Sequence, residues 1–114
     1  MLLHTAKASL FWIGQFGLKR APSPSMTSSP SNIDDIRTLY EEVDLLTMEY
    51  ITAFENSWGS PLSGSANQNR SKLTVPALQV ITLIMTHEFH HKGQILSISR
   101  LLGYTPVDTD VIRF

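Results

Sequence analysis

Three of the four histidines in this chain lie in the string "HEFHH" at residues 87–91, and they are the side chains best suited to bind a metal ion. His87 and His91 are four residues apart, so on one continuous helix they lie one above the other and can bind the same ion. His90 points to a different side of such a helix. The pair alone leaves two interpretations open, a metal site and an ordinary hydrogen-bonded pair.

The same string also satisfies H-E-x-x-H, the pattern of helical zinc peptidases, in which Glu88 would be the general base. Such a site usually takes its third ligand from further along the chain, but no His and no Glu follows His91. Only Asp108 and Asp110 remain, beyond the expected end of the helix. Cysteine is absent as well, so a transition-metal site must use His, Asp or Glu. The sequence therefore favours a metal site that does not belong to a peptidase.

His4 is the candidate for a third ligand. It lies among apolar residues, where a histidine that merely packs in the core is the default interpretation. In an antiparallel bundle, however, the start of one helix can face the middle of another, and metal sites of bundles are built from facing helices. Three neutral imidazoles would leave positions on an ion open for water or substrate. The candidate ligands are therefore His4, His87 and His91.

Two helices are predicted before the histidine-rich one. The first runs from about residue 2 to 17, and the second opens at Ser31, which is expected to form a capping box with Asp34. Their apolar positions recur at helical spacing: Leu3, Ala6, Leu10 and Ile13 in the first helix, and Ile36, Leu39 or Tyr40, Val43, Leu46, Tyr50 and Phe54 in the second. This pattern is typical of helices packed in a bundle.

The third predicted helix carries the "HEFHH" string. We expect Thr74 to cap it, Pro76 to lie in its first turn and Gly103 to end it. Gly93 lies inside the helix, where glycine costs about 1 kcal/mol relative to Ala, so its presence predicts close approach of another backbone.

Residues 18–31 and 57–73 are rich in Pro, Ser, Gly and Asn and are predicted to be loops, the second with a short extended piece near residues 71–75. The predicted fold is an all-α, up-and-down helical bundle with three long helices, forming one domain over residues 1–114.

Composition and net charge indicate what kind of protein this is and which binding functions are not expected. With 42% hydrophobic and 17% charged residues, the 114-residue chain is expected to form one small globular domain. A net charge of -1 with dispersed Lys and Arg gives no reason to expect nucleic-acid binding. The sequence has neither a signal peptide nor an apolar run of about 20 residues, so no membrane association is expected. The lack of cysteine fits a cytoplasmic protein.

Two stretches resemble the DinB family of metal-binding helical bundles. "LLHTAKASLFWIG" resembles the second helix of that family, and "HEFHHKGQILSISRLLGYTPVDTD" resembles its final helix and C-terminal turn. The second match consists of H-x-x-x-H followed by Lys92, Gly93 and Gln94, and then Arg100, Leu102, Gly103, Pro106 and Asp110. The resemblance implies a four-helix fold of the DinB/YfiT-like type in which His4, His87 and His91 hold nickel or zinc and His90 is not a ligand.

The chain departs from this family at its start. Typical members have a complete helix before the one that carries the first histidine, whereas His4 stands in the first turn here. The resemblance therefore implies an N-terminally truncated domain that lacks the first helix. An apolar surface would then stay open unless a second subunit covers it, so a homodimer is expected.

The wider superfamily includes metal-dependent transferases that use low-molecular-weight thiols such as bacillithiol or mycothiol. A divalent ion with an open position lowers the pKa of a bound thiol and so provides a nucleophile at neutral pH. The function expected from the resemblance is a metal-dependent thiol S-transferase with a small-molecule substrate, or a related stress-response protein. The alternatives are a metal-assisted hydrolase and a non-catalytic helical interaction module.

Overall fold

The structure, a computed structural model, describes residues 2–65 and 72–106. Its elements in chain order are α1 (Leu2–Ser9), which continues as a π-helical segment (Leu10–Gly17), a 3₁₀ turn (Pro24–Thr27), α2 (Ile33–Phe54), β1 (Pro61–Ser65), β2 (Lys72–Pro76) and α3 (Ala77–Leu101). We call α1 and the π-helical segment together the first helix. The described residues are mostly helical, with three long helices as predicted, but they also contain a small sheet that the all-α prediction lacked.

The first helix spans the predicted range and changes its hydrogen-bond register halfway. Beyond its α-helical part, the amide of Leu18 donates to the carbonyl of Ile13 at 2.9 Å, five residues back. This spacing defines a π-helix, which apolar periodicity alone does not reveal. The predicted positions Ala6, Leu10 and Ile13 are buried.

The N-terminus of α2 is capped one residue later than predicted. The side chain of Asn32 accepts a hydrogen bond from the amide of Asp35 at 2.9 Å. The Asp35 carboxylate in turn accepts from both the amide and the hydroxyl of Ser31. The predicted box of Ser31 with Asp34 is therefore wrong, because Asn32 has the extended backbone of a cap and Asp35 stands three residues after it.

The N-terminus of α3 has no side-chain cap, so the prediction for Thr74 is wrong. Thr74 lies on β2, where its hydroxyl is 2.8 Å from the hydroxyl of Ser63. The first amides of α3 donate instead to loop carbonyls, from Ala77 to Ser60 at 2.9 Å and from Leu78 to Trp58 at 3.0 Å. These bonds satisfy amides that a cap would otherwise serve.

Gly103 terminates α3, as predicted, and follows the C-cap residue Leu102. Gly103 has a φ of +90°, which glycine adopts at little cost. Its amide donates to the carbonyl of Arg100, and the amide of Tyr104 donates to that of Ser99, both at 3.0 Å. This pair of bonds is the Schellman motif.

The segment predicted as a loop over residues 57–73 contains most of an antiparallel hairpin, so that prediction is wrong for the strand residues. β1 pairs with β2 from Pro61 opposite Pro76 to Ser65 opposite Lys72. Leu62 is buried, which explains why this Gly- and Ser-rich segment is ordered against the helices. The extended piece expected near residues 71–75 corresponds to β2.

The segment predicted as a loop over residues 18–31 is irregular apart from its 3₁₀ turn. Ser23 and Ser25 donate from their hydroxyls to the carboxylate of Glu42, at 2.5 and 2.8 Å. These bonds attach the connection to α2.

The first helix contributes to two groups of buried residues. One contains Ile13, Phe16, Tyr50, Leu62, Ala77, Val80 and Ile84, and the other contains Ala6, Leu10, Leu39 and Val43. The first helix thereby packs on both α2 and α3, and the hydroxyl of Tyr50 donates to the carbonyl of Ala77 at 2.6 Å.

Among the described residues, no helix has the length and apolar character needed to span a membrane.

Candidate metal centre

The three predicted ligands, one on α1 and two on α3, lie side by side. The ring centroid of His4 is 5.1 Å from that of His87 and 5.1 Å from that of His91. The centroids of His87 and His91 are 4.5 Å apart. One ring nitrogen from each residue can be chosen so that all three lie within 4.8 Å of one another. We call these three residues the histidine triad.

The spacing of the two α3 histidines matches that of ligands sharing an ion. Their Nε2 atoms are 3.1 Å apart. Two nitrogens bound at about 2.1 Å to one ion are separated by about 3.0 Å at a right angle and by about 3.4 Å at the tetrahedral angle. The observed separation falls within this interval.

A polar contact between the helices lies next to the triad. The hydroxyl of Ser9, which is buried, donates to the carboxylate of Glu88 at 3.3 Å. Glu88 adjoins His87 in sequence, so this bond helps to fix α1 against the part of α3 that carries the histidines. The sequence suggested Glu88 only as the general base of a peptidase, and it did not identify Ser9 as a partner.

The environment of His87 favours its neutral form. Burial lowers the pKa of His87 below its usual value of 6.5, and the neighbouring His91, His4 and His90 lower it further. A histidine binds a metal through the lone pair of a neutral ring, so a lowered pKa keeps this side chain ready for binding.

His87 also carries a buried nitrogen without a partner. Among the described residues, its Nδ1 is the buried side-chain nitrogen or oxygen that lacks a hydrogen bond. Such an atom needs a partner such as a water molecule. It is not the ligand atom of the geometry described above, because His87 faces His91 through Nε2. With three imidazoles converging and no cysteine in the chain, the residues present fit a divalent transition metal.

Other residues considered from the sequence lie outside the triad. His90 is exposed and contacts His91 ring to ring at a centroid distance of 5.2 Å. Asp108 and Asp110 lie outside the described residues. Gly93 is exposed, and a Cβ added there would meet nothing within 4 Å, so the predicted close approach of another backbone is wrong.

A cavity of about 660 Å³ opens beside the triad. His91 and Glu88 form part of its wall, together with mainly apolar side chains that include Leu2, Met85, Phe89 and Leu96. Tyr40 of α2 also lines it, and burial together with the charge of Glu88 raises the pKa of that phenol. Sequence reasoning missed this cavity, because Met85 and Phe89 at helical spacing have the pattern of ordinary core residues.

The fold and the site define a helical protein with a histidine triad drawn from its first and last helices. The model of the DinB family matches residues 1–114, the whole chain. The chain belongs to the DinB family. No curated protein and no solved structure matched it significantly.

Proposed function

We propose that this DinB-family protein binds a divalent transition metal, nickel or zinc, and acts as a metal-dependent transferase with a low-molecular-weight thiol of the bacillithiol type. The observation that supports metal binding is the convergence of His4, His87 and His91. Family membership supports it independently. We also propose that the three long helices form an up-and-down bundle of the four-helix type found in this family.

The triad supports a reactive site more than a sealed structural one. Three imidazoles leave at least one position of a tetrahedral ion open, and His4 is exposed, so small molecules can reach the site. A divalent ion bound there would lower the pKa of a coordinated thiol. The protein side chains would hold the ion, keep the site accessible and orient the second substrate.

The cavity beside the triad supports a small-molecule substrate. Its volume of about 660 Å³ lies in the range of small-molecule sites, which span roughly 300 to 1,000 Å³. An apolar wall with few polar groups suits a substrate whose apolar body rests on Phe89 and Leu96 while its reacting atom lies near His91. A stress-response role, in which reactive compounds are joined to a thiol, is consistent with this arrangement.

The first test is the metal content per chain by elemental analysis, on protein purified without an affinity tag. We expect near one equivalent of nickel or zinc in the wild type and in His90→Ala, and loss of metal in His87→Ala and His91→Ala. His90→Ala is the matched control, because it removes a neighbouring imidazole on the same helix. A folded wild type without metal, even after incubation with nickel or zinc, would refute the proposal.

Turnover assays then separate the reaction classes. The metal-loaded protein is incubated with electrophilic substrates, with and without a low-molecular-weight thiol. A transferase consumes the electrophile only when the thiol is present, whereas a metal-assisted hydrolase needs water alone. Bound metal without turnover in either assay would refute the transferase.

We also propose that the chain forms a homodimer. Leu78, Met85 and Phe89 share one side of α3 and are 53, 53 and 52% exposed, which is a large apolar surface for one helix. Met85 and Phe89 also line the cavity, so a second subunit on this surface would lie over the open side of the cavity. Sedimentation velocity over a range of concentrations tests this, with Phe89→Glu expected to shift the equilibrium to monomer. A wild type that stays monomeric at high concentration would refute the dimer.

A further inference from the structure

Gln94 contacts two histidines of α3 at once. Its Oε1 lies 2.7 Å from Nδ1 of His91, and its Nε2 lies 3.3 Å from Nε2 of His90. The three residues are neighbours on the helix surface, because positions three and four apart lie above one another. The nitrogen of His91 that faces Gln94 is not the one that faces His87.

The contact with the amide oxygen determines where the hydrogen of His91 lies. An amide oxygen only accepts hydrogen bonds, so the Nδ1 atom beside it must carry the hydrogen. A neutral imidazole has a single N–H, so Nε2 of His91 is left with its lone pair. That lone pair belongs to the atom 3.1 Å from Nε2 of His87, where an ion shared by the two rings would lie.

We propose that Gln94 is a positioning residue for the metal centre: by accepting the Nδ1–H of His91, it selects the tautomer in which Nε2 of His91 can bind the ion. The inference rests on the proposed metal-binding function. Gln94 itself does not touch the ion. Its effect is the one expected of an outer partner of a ligating histidine, which fixes the tautomer and the ring orientation.

The contact with His90 gives the other end of the Gln94 amide a partner. With the oxygen toward His91, the NH₂ group donates to the unprotonated Nε2 of His90. The reversed amide would place a donor against Nδ1 of His91 and leave the hydrogen on Nε2, which would block the ligand atom. His90 is not a ligand, and the bond from Nδ1 of His91 to the Gln94 oxygen does not require it.

The tautomer is measured first, on the metal-free protein, by ¹⁵N NMR of the imidazole rings near neutral pH. We expect His91 to carry its hydrogen on Nδ1 in the wild type and to shift toward the Nε2–H form in Gln94→Leu. The conservative variant Gln94→Glu keeps an acceptor and restores the Nδ1–H form. Gln79→Leu, which replaces another exposed glutamine of α3, is the matched control.

Metal affinity is measured next, by competition of each variant with a chelator for nickel and for zinc. Loss of such an outer partner typically costs about 10- to 100-fold in affinity. We expect Gln94→Leu to bind at least about 10-fold more weakly than wild type, and Gln94→Glu and Gln79→Leu to bind within about threefold of it. The thermal midpoint of each metal-free variant shows that the comparison is made between folded proteins.

Two results would overturn the inference alone: a wild-type His91 that carries its hydrogen on Nε2, or a Gln94→Leu variant that binds metal as tightly as Gln79→Leu. A wild type that binds neither nickel nor zinc would overturn the proposed function and this inference together. The tautomer measurement needs no metal, so the two failures are distinguishable.

Discussion

Nε2 of His87 and Nε2 of His91 lie 3.1 Å apart, on successive turns of one helix. Two neutral imidazoles at this distance share at most one hydrogen, whereas an ion between them would use both lone pairs. The fourth neighbour in this region, His90, lies on the exposed side of the helix and offers no third ligand, and it is α1 that supplies His4. The centre therefore depends on the packing of α1 against α3.

Nickel or zinc is expected to raise the thermal midpoint of the wild type. A ligand that binds only the folded state stabilises it by about 2.7 kcal/mol when its free concentration is about 100 times the dissociation constant. Calorimetry with and without metal measures this. His90→Ala should show the same shift as wild type, and His4→Ala a smaller one. Equal shifts in wild type and His4→Ala would place the ion away from α1.

Acid is expected to destabilise the metal-free protein through His87. Its pKa is lowered from 6.5 in the folded state, so the unfolded chain binds the proton more tightly and stability falls as the pH drops below about 6.5. Urea unfolding between about pH 7.5 and 5.5 measures this loss. His87→Gln should lose less stability over that interval. Parallel losses in the two proteins would contradict the assignment to His87.

Gly17→Ala is expected to lower the free energy of unfolding by about 1 to 3 kcal/mol, as overpacking does. A Cβ at Gly17 would overlap the ring of Tyr50, which is fully buried and held by its bond to Ala77. Gly14→Ala in the same π-helical segment is the control, because its nearest neighbour is the end of the Leu46 side chain at 3.4 Å. Urea denaturation compares the two. Equal stability would show that Tyr50 can move aside.

Gly93→Ala is expected to raise the free energy of unfolding by up to about 1 kcal/mol, the difference in helix propensity. The residue lies inside α3 and is exposed, with nothing within 4 Å of an added Cβ. Chemical denaturation of the dilute protein measures this gain. A loss of stability would mean that another chain or backbone contacts this face in solution.

The three long helices could be predicted from the sequence because their apolar spacing and their terminating residues are local signals. Gly103 ended its helix as expected. Asn32 replaced Ser31 as a cap because two adjacent residues could serve and only the backbone conformation decides between them. The hairpin could not be predicted, since a strand that contains one Gly and two Ser residues is ordered by the burial of Leu62.

For the candidate site, the sequence predicted which three histidines lie together, and metal binding by them stays a prediction. The spacing of His87 and His91 and the resemblance of "LLHTAKASLFWIG" to a family helix together pointed to the triad. The roles of Gln94 and Glu88 were not visible, because they depend on side-chain conformations and on which face of α1 meets α3. The cavity depends on how three helices diverge, which no single segment encodes.

The hydrogen bond from Tyr50 to Ala77 holds the first residue of α3, whereas His87 and His91 of the triad lie further along the same helix. At about 1.5 Å per residue, His87 is about 15 Å from that attachment, so a tilt of about 5° there would move its backbone by about 1.3 Å. Metal–nitrogen distances tolerate only about 0.2 Å. A small displacement of the first residue of α3, next to the hairpin, would thus produce a larger displacement at the histidines. Substitutions far from the histidines would therefore alter metal affinity.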